Sequence, residues 1–265
     1  MQRHDFKKFI KREITMRWFF ATLTGLAAVG GVGASFAAEP TQSGVSSEVS
    51  QIVQQMGTAL SQENIEFKAK TLRVYEDKDG DYLHIGHNMN VEVHRPDRVA
   101  IVSNGDDGTT KFFYDGKEAA VLDVADNRYV QVPFTGDLQA MFEAVSERAG
   151  VDTPLADLLS GDPAKSFMSG VIAAKLAGTD NVDGVRTKHL HFTQSGATEM
   201  ELWVDDNNLP RRLILTYRAL PGTPNFVAEF SAWNFQNHPT DAAFEFQPPA
   251  GATKLNVPSN SEKKP

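Results

Sequence analysis

Between residues 183 and 235 apolar and polar side chains largely alternate in three runs separated by turn residues. In ATEMELWVDDNNLPRRLILTYRAL, Met200, Leu202 and Val204 fall on one side while Glu199, Glu201 and Trp203 fall on the other. That period of two belongs to a half-buried strand. Asp205, Asp206, Asn207 and Asn208 supply a turn, because their side chains bond their own main chain and tolerate left-handed backbone. The chain then returns over 209–217, so the pattern predicts a hairpin. Pro210 has no N–H to donate and suits the first residues of a strand or an edge.

The same period recurs upstream. Over 82–94, Leu83, Ile85, Met89, Val91 and Val93 share a face with His87, opposite Tyr82, His84, Asn88, Asn90, Glu92 and His94. From 65, Ile65, Phe67 and Ala69 alternate, and a slip of phase near Thr71 brings Leu72 and Val74 into register, which predicts a bulge there. Further runs at 99–103, 111–114, 119–124 and 128–132 are separated by Asn-Gly, Asp-Gly and Asp-Asn pairs, the spacing of an antiparallel meander. Two segments break the period. Val49, Ile52, Val53, Met56, Ala59 and Leu60 recur at helical spacing behind Ser46 and Ser47 as candidate N-caps, predicting a helix over about 47–62. Residues 133–170 read as a helical insert, with Leu138, Met141, Phe142 and Val145 on one face, then Leu155, Leu158 and Leu159, then Phe167 and Met168 after Asp162-Pro163. A sheet that is apolar on one face must be covered, and the insert belongs on its concave side.

The segments VDGVRTKHLHF, ELWVDDNNLPRRLILTY, SAWNF and DAAFEFQPPAGATKL, and above all the spacing of Trp203, Asp205 and Pro210, carry a resemblance. From about 48 to 255 the chain resembles the LolA/LolB-like superfamily of periplasmic lipoprotein carriers. More closely, it resembles a family of predicted periplasmic proteins built on a domain of unknown function. The resemblance implies an α+β fold: an incomplete antiparallel β-barrel of about eleven strands around a cavity for acyl chains, with an N-terminal helix and a helical insert over its concave face.

Residues 1–38 read as a signal peptide. A basic start (Arg3, Lys7, Lys8, Lys11, Arg12, Arg17) leads into an apolar run from Trp18 to about Val29, and Ser35, Ala37 and Ala38 offer a cleavage site after Ala37 or Ala38. The apolar run falls short of the ~20 residues of a spanning helix, so no stable membrane span is expected after cleavage. The expected layout continues with a linker over 39–46, the half-barrel over 47–255 and a disordered polar tail over 256–265. Without the leader, 20 Lys and Arg face 32 Asp and Glu, which disfavours nucleic acid and anionic membrane surfaces as partners. The chain has no cysteine, so disulfides, thiolate metal sites and a lipid-bearing cysteine are excluded. These readings predict a soluble, unlipidated periplasmic protein.

Candidate chemistry is sparse. His189 and His191 share a strand face, as do His84 and His94, but no HExxH motif accompanies them. Asp77, Asp79 and Asp81 have Gly80 where a calcium loop would not, and read as an acidic hairpin turn. Ser160-Gly161 and Ser169-Gly170 lack the flanks of a nucleophile elbow. No cofactor, metal or catalytic group is expected. What remains is apolar: Phe112, Phe113, Met141, Phe142, Phe167, Met168, Met200, Leu202, Phe226 and Phe230 are candidates to line a cavity, or else to fill a core. Two functions follow. One is a non-enzymatic binding or carrier protein for a lipid, lipoprotein acyl chain or other hydrophobic ligand. The other is an envelope sensor or assembly module that engages a protein partner. A continuous apolar cavity favours the first.

Overall fold

The alternating runs form strands of one sheet. The computed structural model describes residues 44–77, 79–149 and 153–255, with the side chains of all but 147–149. The signal peptide over 1–38 with Ala37 and Ala38, most of the 39–46 linker and the 256–265 tail lie outside the described residues. Six strands precede the insert: β1 (Asn64–Glu76), β2 (Tyr82–His94), β3 (Arg98–Gly105), β4 (Gly108–Tyr114), β5 (Glu118–Asp123) and β6 (Arg128–Pro133). Five follow it: β7 (Val171–Val182), β8 (Val185–Gln194), β9 (Thr198–Asp205), β10 (Pro210–Tyr217) and β11 (Asn225–Asn234). A two-residue strand, β12 (Thr253–Lys254), is the last.

Across the sheet the order is β12-β6-β5-β4-β3-β2-β1-β11-β10-β9-β8-β7. Each group is an antiparallel meander, and the antiparallel pairing of β1 with β11 joins the two. Strands β12 and β7 end the sheet without meeting, which makes it an incomplete barrel of α+β class. Twelve strands stand where about eleven are expected. The difference is β12, parallel to β6 and too short to show an alternation.

One detail of β1 differs from the sequence reading. Its alternation continues unbroken: Thr71 is buried, Leu72 is exposed, and the register with β2 is regular from Asn64 to Glu76. The irregularity lies between Glu66 and Lys68, against β11. Leu72 suggests a slip because it is apolar, but here the concave side takes Thr71 and Arg73, and the aliphatic side chain faces out.

Helix α1 (Ser47–Leu60) starts where Ser46 Oγ accepts from the Val49 N–H at 3.3 Å, and it buries Val49, Ile52, Val53, Met56 and Leu60. Ser46 N–H also donates to the Ala174 carbonyl at 3.1 Å, which ties the helix start to β7. The insert forms α2 (Leu138–Ala149), α3 (Ala156–Leu159) and α4 (Pro163–Phe167). Asp162 caps α4 by accepting from Lys165 N–H at 3.0 Å, with Pro163 in the first turn. Helix α4 packs on α1 and α3, α2 packs on α3, and Phe167 meets Phe192 of β8 edge to face at 5.6 Å.

Arg95, at the end of β2, fastens this helical layer to the sheet. Its guanidinium donates to the carbonyls of Leu60 at 2.9 Å, Leu158 at 3.2 Å and Leu159, the last residues of α1 and α3. Helix C-termini leave such carbonyls without partners, and a cation there also suits the helix dipole. Burial lowers the Arg95 pKa to about 10, which leaves it charged at neutral pH. Among the described residues no helix is long and apolar enough to cross a membrane.

Candidate functional site: a cavity with an apolar and a polar end

Strand register converts the alternation into rows that cross the sheet. The first row is apolar throughout: Phe67, Val91, Ile101, Phe112 and Val121 are paired in succession from β1 to β5. One step toward the β1–β2 and β3–β4 turns, Ala69, Met89, Ser103 and Thr110 form the second row. A further step brings Thr71, His87 and Gly105 together, and beyond them Arg73 pairs with Ile85 and with Phe226 of β11. Each step is two residues, or about 6.7 Å.

These rows form one wall of a cavity of about 250 Å³. The insert supplies the other wall through Phe142 and Val145 of α2, the segment Thr153, Pro154 and Leu155, and Ala156 and Leu159 of α3. Phe112 and Phe142 stack across the gap at 6.2 Å between ring centroids, joining the apolar row to the insert. The polar end is built differently. His87 Nε2 lies 2.8 Å from Asp107 Oδ1, and the Arg73 guanidinium sits 5.2 Å from the centre of the Phe226 ring. Asp106 holds the β3–β4 turn against β2, its carboxylate accepting from Gly86 N–H at 2.8 Å and its own N–H donating to the Gly86 carbonyl at 3.0 Å.

Of the candidates read from sequence, Phe112, Phe142 and Phe226 line this cavity. Met141, Phe167, Met200, Leu202 and Phe230 are buried in the packed core instead, and Met168 is partly buried against it. The reason is the uneven cover of the concave face: α4 is seated against β8 through Phe167, whereas β1–β5 face α2 and the 153–159 segment across a gap. Phe113 has the opposite parity to Phe112 and stands against Phe246 at 5.7 Å. The polar lining at Thr71, Arg73, Ser103, Asp107 and Thr110 is not among the candidates. Its signal is His87, a polar side chain on an otherwise apolar strand face.

The paired histidines of β8 lie on the outer face. His189 has Asp180 Oδ2 3.1 Å from Nδ1 and Glu201 Oε2 2.9 Å from Nε2, and it stacks on Trp203 at 4.1 Å. Trp203 N–H donates to the same Asp180 oxygen at 2.9 Å, and Arg212 lies over its ring. Among the described residues no group of three or more His, Asp or Glu side chains is arranged to hold a metal ion.

The chain is similar in fold to several solved structures. Mycobacterium tuberculosis lipoprotein LppX is 16% identical with a TM-score of 0.44, the match covering 71% of this chain and 97% of that one. A LolA superfamily protein from Nitrosomonas europaea is 13% identical with a TM-score of 0.38, over 74% and 97% of the two chains. A chain of the Pseudomonas aeruginosa MucA/MucB complex is 17% identical with a TM-score of 0.40, over 76% and 62%. Among curated proteins none matches. A family model matches residues 49–257, which take in the whole sheet, the insert and all but the first two residues of α1, and the chain therefore belongs to the predicted periplasmic protein family DUF2092.

Proposed function

We propose that the protein is a periplasmic binding or carrier-like protein that shields the apolar part of an envelope amphiphile, a lipid or acyl chain, in the cavity beneath its insert. The observation that carries this reading is the unbroken row Phe67, Val91, Ile101, Phe112 and Val121, walled off by Phe142, Val145 and Leu159. Such a surface removes methylenes from water at about 0.8 kcal/mol each. Ten of them would supply roughly 8 kcal/mol, an upper bound near micromolar affinity before ordering costs. Binding of this kind uses no catalytic group. In this reading 47–255 is the ligand-binding unit, the leader is removed at Ala37 or Ala38, and release follows movement of α2 and the 153–159 segment away from the sheet.

Native mass spectrometry of protein purified from the periplasm, with organic extraction of whatever travels with it, tests the proposal. A stoichiometric lipid adduct is expected, lost in a Val145→Trp variant that fills the cavity while unfolding at an unchanged temperature. A bare mass that stays bare when lipids are offered would overturn the carrier reading in favour of a module that engages a protein partner.

A further inference from the structure

We infer that the cavity selects a single-chain amphiphile with an uncharged, hydroxylated head, of the class to which monoacylglycerols and alkyl glycosides belong. The inference rests on the cavity reading above and adds to it the number of chains and the chemistry of the head.

Chain number follows from volume. An apolar cavity of 150 Å³ holds one benzene, six carbons, so 250 Å³ takes about ten. That is one alkyl chain of moderate length. Two chains side by side would need about twice the space.

Head chemistry follows from the rows. From the apolar row to the row of Thr71 and His87 is two steps, about 13 Å, and over that distance the wall changes from wholly apolar to hydrogen-bonding. A chain seated on the apolar row therefore brings its head to the hydroxyls of Thr71, Ser103 and Thr110 and to the His87–Asp107 pair. Of the formally charged groups that line this end, Arg73 is positive and Asp107 negative, while the Asp106 carboxylate is engaged by Gly86 N–H. An anionic head would be set beside the Asp107 carboxylate and a cationic one beside the Arg73 guanidinium, and a partly desolvated like-charge pair is unfavourable. A hydroxylated head avoids both. Each of its hydroxyls both donates and accepts, matching acceptors on Asp107 and hydroxyls that do either.

Calorimetric titration with ten-carbon probes tests this on the purified protein: monodecanoylglycerol, decyl glucoside, decanoate, decyltrimethylammonium and didecanoyl phosphatidylcholine. Both hydroxylated probes are expected to bind one to one and at least tenfold more tightly than the two charged single-chain probes, with the two-chain lipid failing to displace them. Whichever of the glyceride and the glucoside binds more tightly identifies the source of the head. A Ser103→Ala/Thr110→Val variant is expected to lose the preference and keep chain binding. Equal affinity across heads, or binding of the two-chain lipid as tightly as the single-chain probes, would overturn the inference and leave the cavity reading standing. Binding of no probe at all would overturn both.

Discussion

His87 on β2 stands opposite Gly105 on β3, and a Cβ added to Gly105 would lie 2.5 Å from the imidazole Nε2 and 2.8 Å from Asp107 Oδ1. The missing side chain is what lets the His87–Asp107 pair form at the polar end of the cavity. In a Gly105→Ala variant the imidazole must swing aside, and the lost hydrogen bond should lower stability by about 1 kcal/mol. A double-mutant cycle with His87→Ala checks the cause. Once His87 is truncated, Gly105→Ala should cost little; an undiminished cost would show that the glycine serves something other than this pair.

Arg95→Leu should detach the helical layer from the end of β2, lowering stability by about 2–4 kcal/mol in urea titration. Two effects oppose each other. Removing a buried guanidinium relieves its desolvation, whose size shows in the lowering of its pKa to about 10. Against this, the carbonyls of Leu60, Leu158 and Leu159 lose their donor while the aliphatic side chains around them stay buried. The second effect is larger, because hydrogen bonds to a charged donor contribute about 1.5–3 kcal/mol each. Arg95→Lys keeps the charge, reaches fewer carbonyls and should lose less than Arg95→Leu. A midpoint for Arg95→Leu equal to that of the unaltered protein would refute the fastening role.

How far the sequence reveals this molecule depends on the range of the interaction. The hairpin at 198–217 is local and legible: Asp205 Oδ1 accepts from Asn207 N–H at 2.9 Å and Leu209 N–H at 3.0 Å, and Pro210 opens the return strand. So are the strand faces of β2 and the buried stripe of α1. Whether a given apolar side chain lines a space or fills one is not local. Met200 and Phe112 are both apolar residues of short strands, yet Met200 is packed in the core while Phe112 fronts the cavity, and only the placement of the insert decides between them. Thr71 misleads for the related reason that a hydroxyl facing inward looks like a register error until the polar end of the cavity is known. Trp203 shows the reverse case. It lies on the outer face and is 6% exposed, because His189 of β8 and Arg212 of β10, on the strands either side, cover it.

Gly57 sets two familiar effects against each other. Replacing a helical glycine by alanine ordinarily stabilises by about 1 kcal/mol. Here the new Cβ would lie 2.5 Å from Ala164 Cβ and 2.8 Å from the Ala164 backbone nitrogen. Backbone cannot rotate away as a side chain can, and α4 is held by the Asp162 cap and by Phe167 against Phe192. Overpacking of this kind costs about 1–3 kcal/mol or more, so Gly57→Ala should be net destabilising. A raised unfolding midpoint would mean that α4 yields freely and that the α1–α4 contact is loose.

The pH dependence of stability should carry a contribution from Glu199. The Arg218 side chain, bonded to its carboxylate at 2.5 Å, holds the Glu199 pKa below the ordinary 4.5, with His191 adding to the effect. A carboxyl whose folded pKa is depressed binds its proton more readily in the unfolded chain. The stabilisation is therefore fully present above about pH 4.5 and is lost as pH falls through the lower, folded value. Arg218 is open to solvent, so salt screens the pair and the effect is small. Arg218→Gln should leave a smaller acid-side drop in unfolding temperature than the unaltered protein shows, with the difference shrinking in high salt. Identical acid profiles for the two proteins in low salt would mean that Glu199 gains nothing from its partner.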